Sequence, residues 1–222
     1  MHRIDLPGWA VERGRVLNRF DAIEPARAAL VVVDMQNVFL APEEVFGNPN
    51  ALAIIPTVNR LAAAMRAAGG TVIWTRQTVS HAAPLAMPAW QYNLSVPHVR
   101  RAVETMLAGT HSHALHPDMK VAPDDLVLDK YRYSAFLCPG GALRAALEAR
   151  GIDMLVIAGT LTNVCCESTA RDGNMLGYRV IVASDATAAV TDAEHNAALL
   201  NLRLTFADVR ATSELCAMLE GK

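Results

Sequence analysis

The sequence lacks the features that mark membrane, secreted and nucleic-acid-binding proteins. No stretch approaches the roughly 20 consecutive apolar residues that a membrane span needs. The N-terminal stretch MHRIDLPGWAVERGRVLNRF mixes charges where a signal peptide would be apolar. The formal net charge is only −2, with both signs scattered, so no electrostatic footprint points to nucleic acid or an anionic membrane. We therefore expect a cytoplasmic protein whose partners are small molecules or other proteins.

Cysteine is also scarce, with 4 residues in a chain of 222. So few cysteines, two of them the neighbours Cys165 and Cys166, do not make a disulfide framework. Each thiol is then either a small core residue or a nucleophile. Cys138 and Cys216 belong to no motif, and we interpret them as core residues.

The sequence does contain a regular alternation of strand and helix patterns. Continuous β-branched runs, typical of strands buried on both faces, alternate with runs of helical spacing that end at glycine. The predicted strands are 28–36, 71–75, 125–130, 153–159, 179–185 and 207–211; the predicted helices are 50–70, 97–109, 140–151, 162–176 and 191–206. This pattern predicts a single-domain, three-layer α/β/α sandwich around a mostly parallel, Rossmann-like six-stranded sheet.

Three chemically reactive residues follow predicted strands. Asp34, Lys130 and Cys165 come at or just after the ends of the first, third and fourth of them. Ligands of parallel α/β sheets bind beyond the carboxyl ends of the strands, so these side chains are expected at one edge. The irregular stretch from residue 77 to about 124 is expected to line the same site.

The three residue types suit nucleophilic catalysis. A cysteine attacks as the thiolate, and a free thiol with a pKa of about 8.5 holds little of that form at neutral pH. Thr162 is expected to cap the helix whose first turn holds Cys165, which would favour a negative sulfur. Lys130 would favour it further and Asp34 could accept the proton, although each residue taken alone also fits a structural role.

Three segments, VVVDMQNVF, KYRYSAF and GTLTNVCCESTARDG, resemble the signature segments of the isochorismatase-like cysteine hydrolases. The resemblance covers roughly residues 26–212, which implies a hydrolase domain over 26–222 after an N-terminal extension, 1–25, that we expect to pack on a neighbouring subunit. It implies that Cys165, Asp34 and Lys130 are catalytic and that no cofactor is needed. It further implies an oxyanion hole made by the backbone N–H groups of Leu161 and Cys165, with a cis peptide bond between Thr160 and Leu161.

The resemblance is closest to the branch that cleaves ureides and carbamoyl amides, which includes N-carbamoylsarcosine, biuret, triuret and ureidoacrylate hydrolases. It implies cleavage of a C–N bond in a small amide or ureide, and commonly a homodimer or homotetramer. The segment WTRQTVSH lacks the Asp-x-His motif with which nicotinamidases hold a metal, and Cys165 argues against isochorismate cleavage. The side chains expected near the substrate are Phe39, Gln77, Trp90, Tyr133 and Phe136.

Three other interpretations remain open at this point. Cys165 and Cys166 could form a redox-sensing pair, although neighbours on a helix point about 100° apart and Cys166 is more simply a packing residue. The scaffold could also bind a ligand without turning it over. The cluster of His111, His113 and His116 resembles zinc ligands at first sight, but we interpret these residues, and His195, as structural, and expect no metal.

Overall fold

The computed structural model describes residues 1–221 and contains a six-stranded, all-parallel sheet. The strands are β1 (Ala28–Val33), β2 (Thr71–Gln77), β3 (Leu126–Lys130), β4 (Met154–Thr160), β5 (Arg179–Ala188) and β6 (Asp208–Arg210). Their order across the sheet is β3-β2-β1-β4-β5-β6. The predicted parallel α/β architecture is thereby confirmed, and β1 lies at its centre between β2 and β4.

Helices cover both faces of the sheet. They are α1 (Gly8–Gly14), α2 (Asn37–Leu40), α3 (Pro49–Ala53), α4 (Ile55–Ala67), α5 (Pro97–Thr105), α6 (Ala142–Glu148), α7 (Glu167–Met175), α8 (Asp192–Asn201) and α9 (Thr212–Leu219). Successive residues of a strand point to opposite faces, so Leu30 and Val32 pack with α3, α4 and α9, while Val31 and Val33 pack with α6, α7 and α8. Burial on both sides explains why β1 is apolar throughout.

Several helices differ from their predicted extents. The single helix predicted over 50–70 is two helices, because Pro56 in the first turn of α4 cannot continue the hydrogen bonding of α3. The helix predicted from Thr162 opens with a π-helical turn, Thr162–Cys166, before α7. The capping box predicted at Thr191 and Glu194 is present at the start of α8. Helices α1 and α9 were not predicted, and α5 is held over the sheet edge by a small cluster that includes Val38 and Val79.

A close approach between β1 and β4 places the loops that follow them. Gly159 has φ +111°, and a Cβ there would lie 2.0 Å from the carbonyl oxygen of Val33. Glycine is the residue type that adopts this conformation without steric cost. The chain therefore passes directly from this contact to Asp34 on one strand and to the turn that carries Cys165 on the other.

The N-terminal segment makes contacts with the body of its own chain. The His2 ring stacks on His195 with centroids 4.2 Å apart, and the backbone N–H of Ala189 donates to His2 Nε2 at 3.0 Å. The side chain of Asn18 donates to the carbonyl of Thr205. Within residues 1–221, no helix is long and apolar enough to cross a membrane.

Candidate active site

Asp34 follows β1 at the centre of the sheet edge. Its side chain is fully buried and its backbone has φ 51°, a left-handed conformation that aspartate tolerates better than most residues. Its Oδ1 accepts a hydrogen bond of 2.9 Å from the Thr75 hydroxyl, and its backbone N–H donates to the Thr75 carbonyl. Asp34 is thus anchored to β2, with its second carboxylate oxygen free to face a partner.

That partner is Lys130, the last residue of β3, whose side chain is 2 % exposed. Its Nζ lies 2.7 Å from Asp34 Oδ2 and donates to Gln77 Oε1 at 2.6 Å, to the Arg132 carbonyl at 3.1 Å and to Cys165 Sγ at 3.3 Å. These four partners are more than the three N–H groups of an ammonium can serve at once. Because Nζ contacts both Asp34 and Cys165, the three side chains form one compact cluster.

Cys165 lies in the π-helical turn after β4 and is 6 % exposed. The three side chains selected from the sequence are thus brought together at the carboxyl edge of the sheet. Cys166 points away into the core, is completely buried, and has a sulfur 3.9 Å from the Ala158 carbonyl. All four cysteines are free thiols, so the neighbouring pair is not a disulfide in this structure.

The electrostatics of the cluster differ from the expectation of an anionic sulfur. Burial raises the pKa of the Cys165 thiol to about 12; the charge of Asp34 acts in the same direction and the charge of Lys130 opposes both. Burial is the largest single influence on Lys130 and would lower its pKa, but the charge and hydrogen-bond contributions of Asp34 and Cys165 together outweigh it and raise that pKa. For the sulfur, burial is the largest influence and therefore disfavours the thiolate form of Cys165 in the resting site.

Thr162 does not cap the helix, contrary to the sequence-based expectation. It is the first residue of the π-helical turn, and its hydroxyl lies 2.9 Å from His195 Nδ1. His195 Nε2 lies 3.1 Å from the carbonyl of Ser184, so this fully buried ring links β5 to the turn that holds Cys165. Burial, with a smaller contribution from His2, lowers the pKa of His195 to about 4. His195 is structural, as interpreted from the sequence.

The peptide bond between Thr160 and Leu161 is cis, as the resemblance implied. Leu161 is the residue before the π-helical turn, and its carbonyl accepts hydrogen bonds from the N–H groups of Val164 and Cys166. The backbone of this turn therefore wraps closely around the position of Cys165.

A cavity of about 630 Å³ opens onto Cys165. Three of the five side chains predicted near the substrate, Phe39, Gln77 and Tyr133, line it. The sequence reasoning missed the polar lining residues Asn48, Tyr92 and Thr160, and the apolar wall residues Phe46, Met106, Val164 and Val190. Tyr92 belongs to the irregular stretch that was expected to line the site, and that location was the available signal.

The remaining two predicted side chains lie outside this cavity. Trp90 is 81 % exposed and lines a neighbouring cavity that shares Tyr92 with the first. Phe136 is buried in the core, where its ring lies 5.4 Å from that of Tyr178 and fills space above Gly173. Phe136 was predicted near the substrate because it belongs to the KYRYSAF segment, but its side chain turns into the core beside α7.

The histidines at 111–116 have separate partners. His113 Nε2 lies 2.8 Å from the Thr78 hydroxyl, His111 Nε2 lies 3.5 Å from the side chain of Asn37, and His116 Nδ1 accepts from the backbone N–H of Asp118. Within residues 1–221, no three His, Cys, Asp or Glu side chains come together in a way that could hold a metal ion.

Comparison with known proteins identifies the family of this chain. A model of the isochorismatase domain matches residues 28–214, most of the chain and all three clustered residues. The chain belongs to the isochorismatase family. The resemblance inferred from the three sequence segments is thereby confirmed.

Two curated relatives of this isochorismatase-family chain carry the same name. It is 34% identical over 209 residues to ureidoacrylate amidohydrolase RutB of Pseudomonas savastanoi pv. phaseolicola, an alignment covering 87% of this chain and 84% of the relative. It is 35% identical to the protein of the same name from Methylobacterium radiotolerans, covering 83% and 76%.

Solved structures of similar proteins share this fold. A cysteine hydrolase from Pseudomonas syringae pv. phaseolicola superposes with a TM-score of 0.82 at 30% identity, covering 92% of this chain and 97% of that one. N-carbamoylsarcosine amidase from Thermoplasma acidophilum superposes with a TM-score of 0.67 at 26% identity, covering 84% and 96%.

Proposed function

We propose that this protein is a cysteine-dependent amidohydrolase that cleaves a C–N bond of a small amide or ureide. The observation that carries the proposal is the buried contact of Lys130 with both Asp34, at 2.7 Å, and Cys165, at 3.3 Å, beside a cavity that opens onto the sulfur. The names of the relatives support the reaction class: ureidoacrylate amidohydrolase and N-carbamoylsarcosine amidase each denote cleavage of such a bond.

The first half of the reaction forms a covalent intermediate. The proton of Cys165 passes to the Asp34 carboxylate as the sulfur attacks the substrate carbonyl carbon, because the resting thiol is not ionised. A C–S bond forms and the carbonyl oxygen becomes an oxyanion, which the N–H groups of Leu161 and Cys165 would stabilise. The C–N bond then breaks, and ammonia or an amine leaves with the proton held by Asp34.

The second half restores the enzyme. Asp34 takes a proton from a water molecule, whose oxygen attacks the thioester or S-carbamoyl carbon. The C–S bond breaks and the sulfur recovers its proton from Asp34. Lys130 holds the carboxylate and the sulfur together and offsets the negative charge that moves between them. Phe39, Gln77 and Tyr133 are the predicted side chains placed to contact the bound substrate.

Two matched variants test the proposal. Cys165→Ala should abolish ammonia release over a panel of biuret, triuret, N-carbamoyl amino acids, ureidoacrylate, nicotinamide and simple amides. Cys166→Ala should keep most of the activity, because that sulfur packs in the core. Circular dichroism of both variants checks the fold. If the Cys165→Ala variant released ammonia at the parent rate, the assignment of the nucleophile would be wrong.

A further inference from the structure

The walls of the cavity above Cys165 are predominantly apolar. Phe39 and Phe46 stack with ring centroids 6.1 Å apart and 20° between their planes. Met106 and Val164 contribute to the same lining. Phe46 and Val190 are 45% and 57% exposed, so the apolar surface continues to the mouth of the cavity. A volume of about 630 Å³ is within the range of sites that hold ligands considerably larger than a bare ureide.

No cation is available inside this cavity to pair with a carboxylate. The residues that line it, all within the described part of the chain, include no Asp, Glu, Lys, Arg or His. Lys130 lies beneath its floor, but its ammonium already contacts Asp34, Gln77, the Arg132 carbonyl and Cys165. Its charge is therefore committed to the catalytic cluster.

Arg132, two residues after Lys130, does not supply a cation to the cavity either, because its guanidinium binds backbone carbonyls. Its Nη1 donates to the carbonyls of Leu85 and Tyr131, and its Nη2 donates to those of Pro84 and Ala86. The guanidinium is thus enclosed by backbone oxygens and lines a different surface cavity. It holds the loop of residues 84–86 in place and does not face the sulfur.

The polar groups that do line the cavity are neutral. Tyr92 and Tyr133 share a hydrogen bond, and burial is the largest cause that raises the pKa of Tyr92 to about 12. The Tyr92 hydroxyl therefore stays protonated at physiological pH. Gln77 binds Lys130 through its Oε1, and its Nε2 makes only a long contact of 3.4 Å with the carbonyl of Thr78. Such groups suit a carbonyl or an amide, which need donors and acceptors without charge.

Burial of a carboxylate in such surroundings without a paired cation carries a large desolvation penalty. Building on the proposed function, we propose that the substrate is a neutral primary amide or monosubstituted urea that carries an aryl or alkyl group. The scissile carbonyl lies against Cys165 and the neutral polar groups, and the apolar group lies against Phe39, Phe46 and Val190. The site accordingly rejects carboxylate-bearing amides and ureides.

Matched substrate pairs that differ only in a distal carboxylate test this inference. Benzylurea is compared with 4-(ureidomethyl)benzoate, and phenylacetamide with 4-(carbamoylmethyl)benzoate, by kcat/KM for ammonia release. The same four compounds are titrated calorimetrically into the Cys165→Ala variant, which reports binding without turnover. We expect the neutral member of a pair to be favoured by at least about 100-fold, given the cost of an unpaired buried ion.

A charge placed in the wall should relax this preference. Phe46→Arg adds a guanidinium at the partly exposed mouth and should lower the neutral-to-anionic ratio by about tenfold, the value of a hydrogen bond to a charged group. Met175→Arg is the matched control. Met175 is 68% exposed at the end of α7 and does not line the cavity, so the same added charge there should leave the ratio unchanged.

The outcomes separate this inference from the proposed function. Binding of the neutral members without any turnover would support the cavity assignment and refute the amidohydrolase reaction. Turnover with equal or greater preference for the anionic members would support the reaction and overturn the inference. Failure of all four compounds both to bind and to react would also overturn it, as would an equal response of the ratio to Met175→Arg and Phe46→Arg.

Discussion

Replacing Asp34 with asparagine should have opposite effects on turnover and on the reactivity of the sulfur. Asparagine keeps the shape of the side chain, can still accept the hydrogen bond from Thr75, and tolerates the left-handed φ of 51°. The substitution therefore removes one negative charge and one proton acceptor while it preserves the backbone. Loss of the acceptor should lower kcat by about 10²–10⁴-fold.

The effect on the sulfur follows from distances around Lys130. Its Nζ lies 2.7 Å from Asp34 Oδ2 and 3.3 Å from Cys165 Sγ, so oxygen and sulfur are at most 6.0 Å apart. At that separation and an effective dielectric constant of about 20, two unit charges repel by about 3 kcal/mol. Removal of the carboxylate should therefore lower the pKa of the thiol, which is about 12 in the parent, by about 2 units.

A thiol–disulfide exchange assay with 2,2′-dithiodipyridine measures this change. A pKa lower by about 2 units raises the thiolate fraction at pH 7.5 about 100-fold, and the weaker nucleophilicity of the more acidic thiol reduces the net gain in rate to about tenfold. Asp129→Asn is the matched control, because that carboxylate adjoins Lys130 in sequence but pairs with Arg76 at 2.7 Å. If Asp34→Asn slowed the exchange at Cys165, the electrostatic reasoning would be refuted.

Three further perturbations have defined outcomes. Lys130→Met should raise the pKa of the Cys165 thiol further, which slows iodoacetamide labelling, and should cost about 3–5 kcal/mol of stability in urea unfolding because it leaves a buried carboxylate unpaired. Gly159→Ala should destabilise the fold by about 3 kcal/mol more than Gly177→Ala, because the new Cβ would lie 2.0 Å from a backbone oxygen, whereas Gly177 at φ +95° has open space around it. Folding lowers the pKa of His195 from 6.5 to about 4, so between pH 7 and pH 5 the ring gains a proton in the unfolded chain but not in the folded one. The free energy of unfolding should therefore fall by about 2 kcal/mol over that range from this ring alone.

Each of these has a result that would contradict it. An unchanged pH profile of labelling in Lys130→Met would remove the lysine from the control of the sulfur. Equal losses of stability in Gly159→Ala and Gly177→Ala would show that the β1–β4 contact relaxes. A His195→Gln variant should lose part of the pH dependence of unfolding, and an identical dependence in the variant and the parent would refute the buried neutral ring.

The reactive cluster could be predicted from the sequence because parallel strands impose a simple rule. Asp34, Lys130 and Cys165 each sit at or just beyond the carboxyl end of a strand, and parallel pairing brings those ends to one edge whatever the detailed packing. The burial of β1 on both faces likewise follows from its apolar run AALVVV, which is typical of a strand inside a covered parallel sheet.

The cavity could not be predicted to the same degree, because its walls come from segments without periodicity. Tyr92 and Met106 belong to the irregular stretch after β2, and Val190 follows β5 almost 100 residues later. Whether a residue lines the cavity depends on the direction of its side chain. Tyr133 faces the cavity, whereas Phe136, three residues later, turns into the core. Likewise, the charge state of the sulfur depends on a pairing of Asp34 with Lys130 that spacing along the chain does not reveal.

The contact between His2 and Ala189 involves a residue outside the part of the chain that the family model matches. The family match begins at residue 28, yet the ring of His2 accepts a hydrogen bond from the residue that precedes Val190, at the cavity mouth. Substitution of His2 should therefore alter the entrance of the cavity while Asp34, Lys130 and Cys165 stay unchanged.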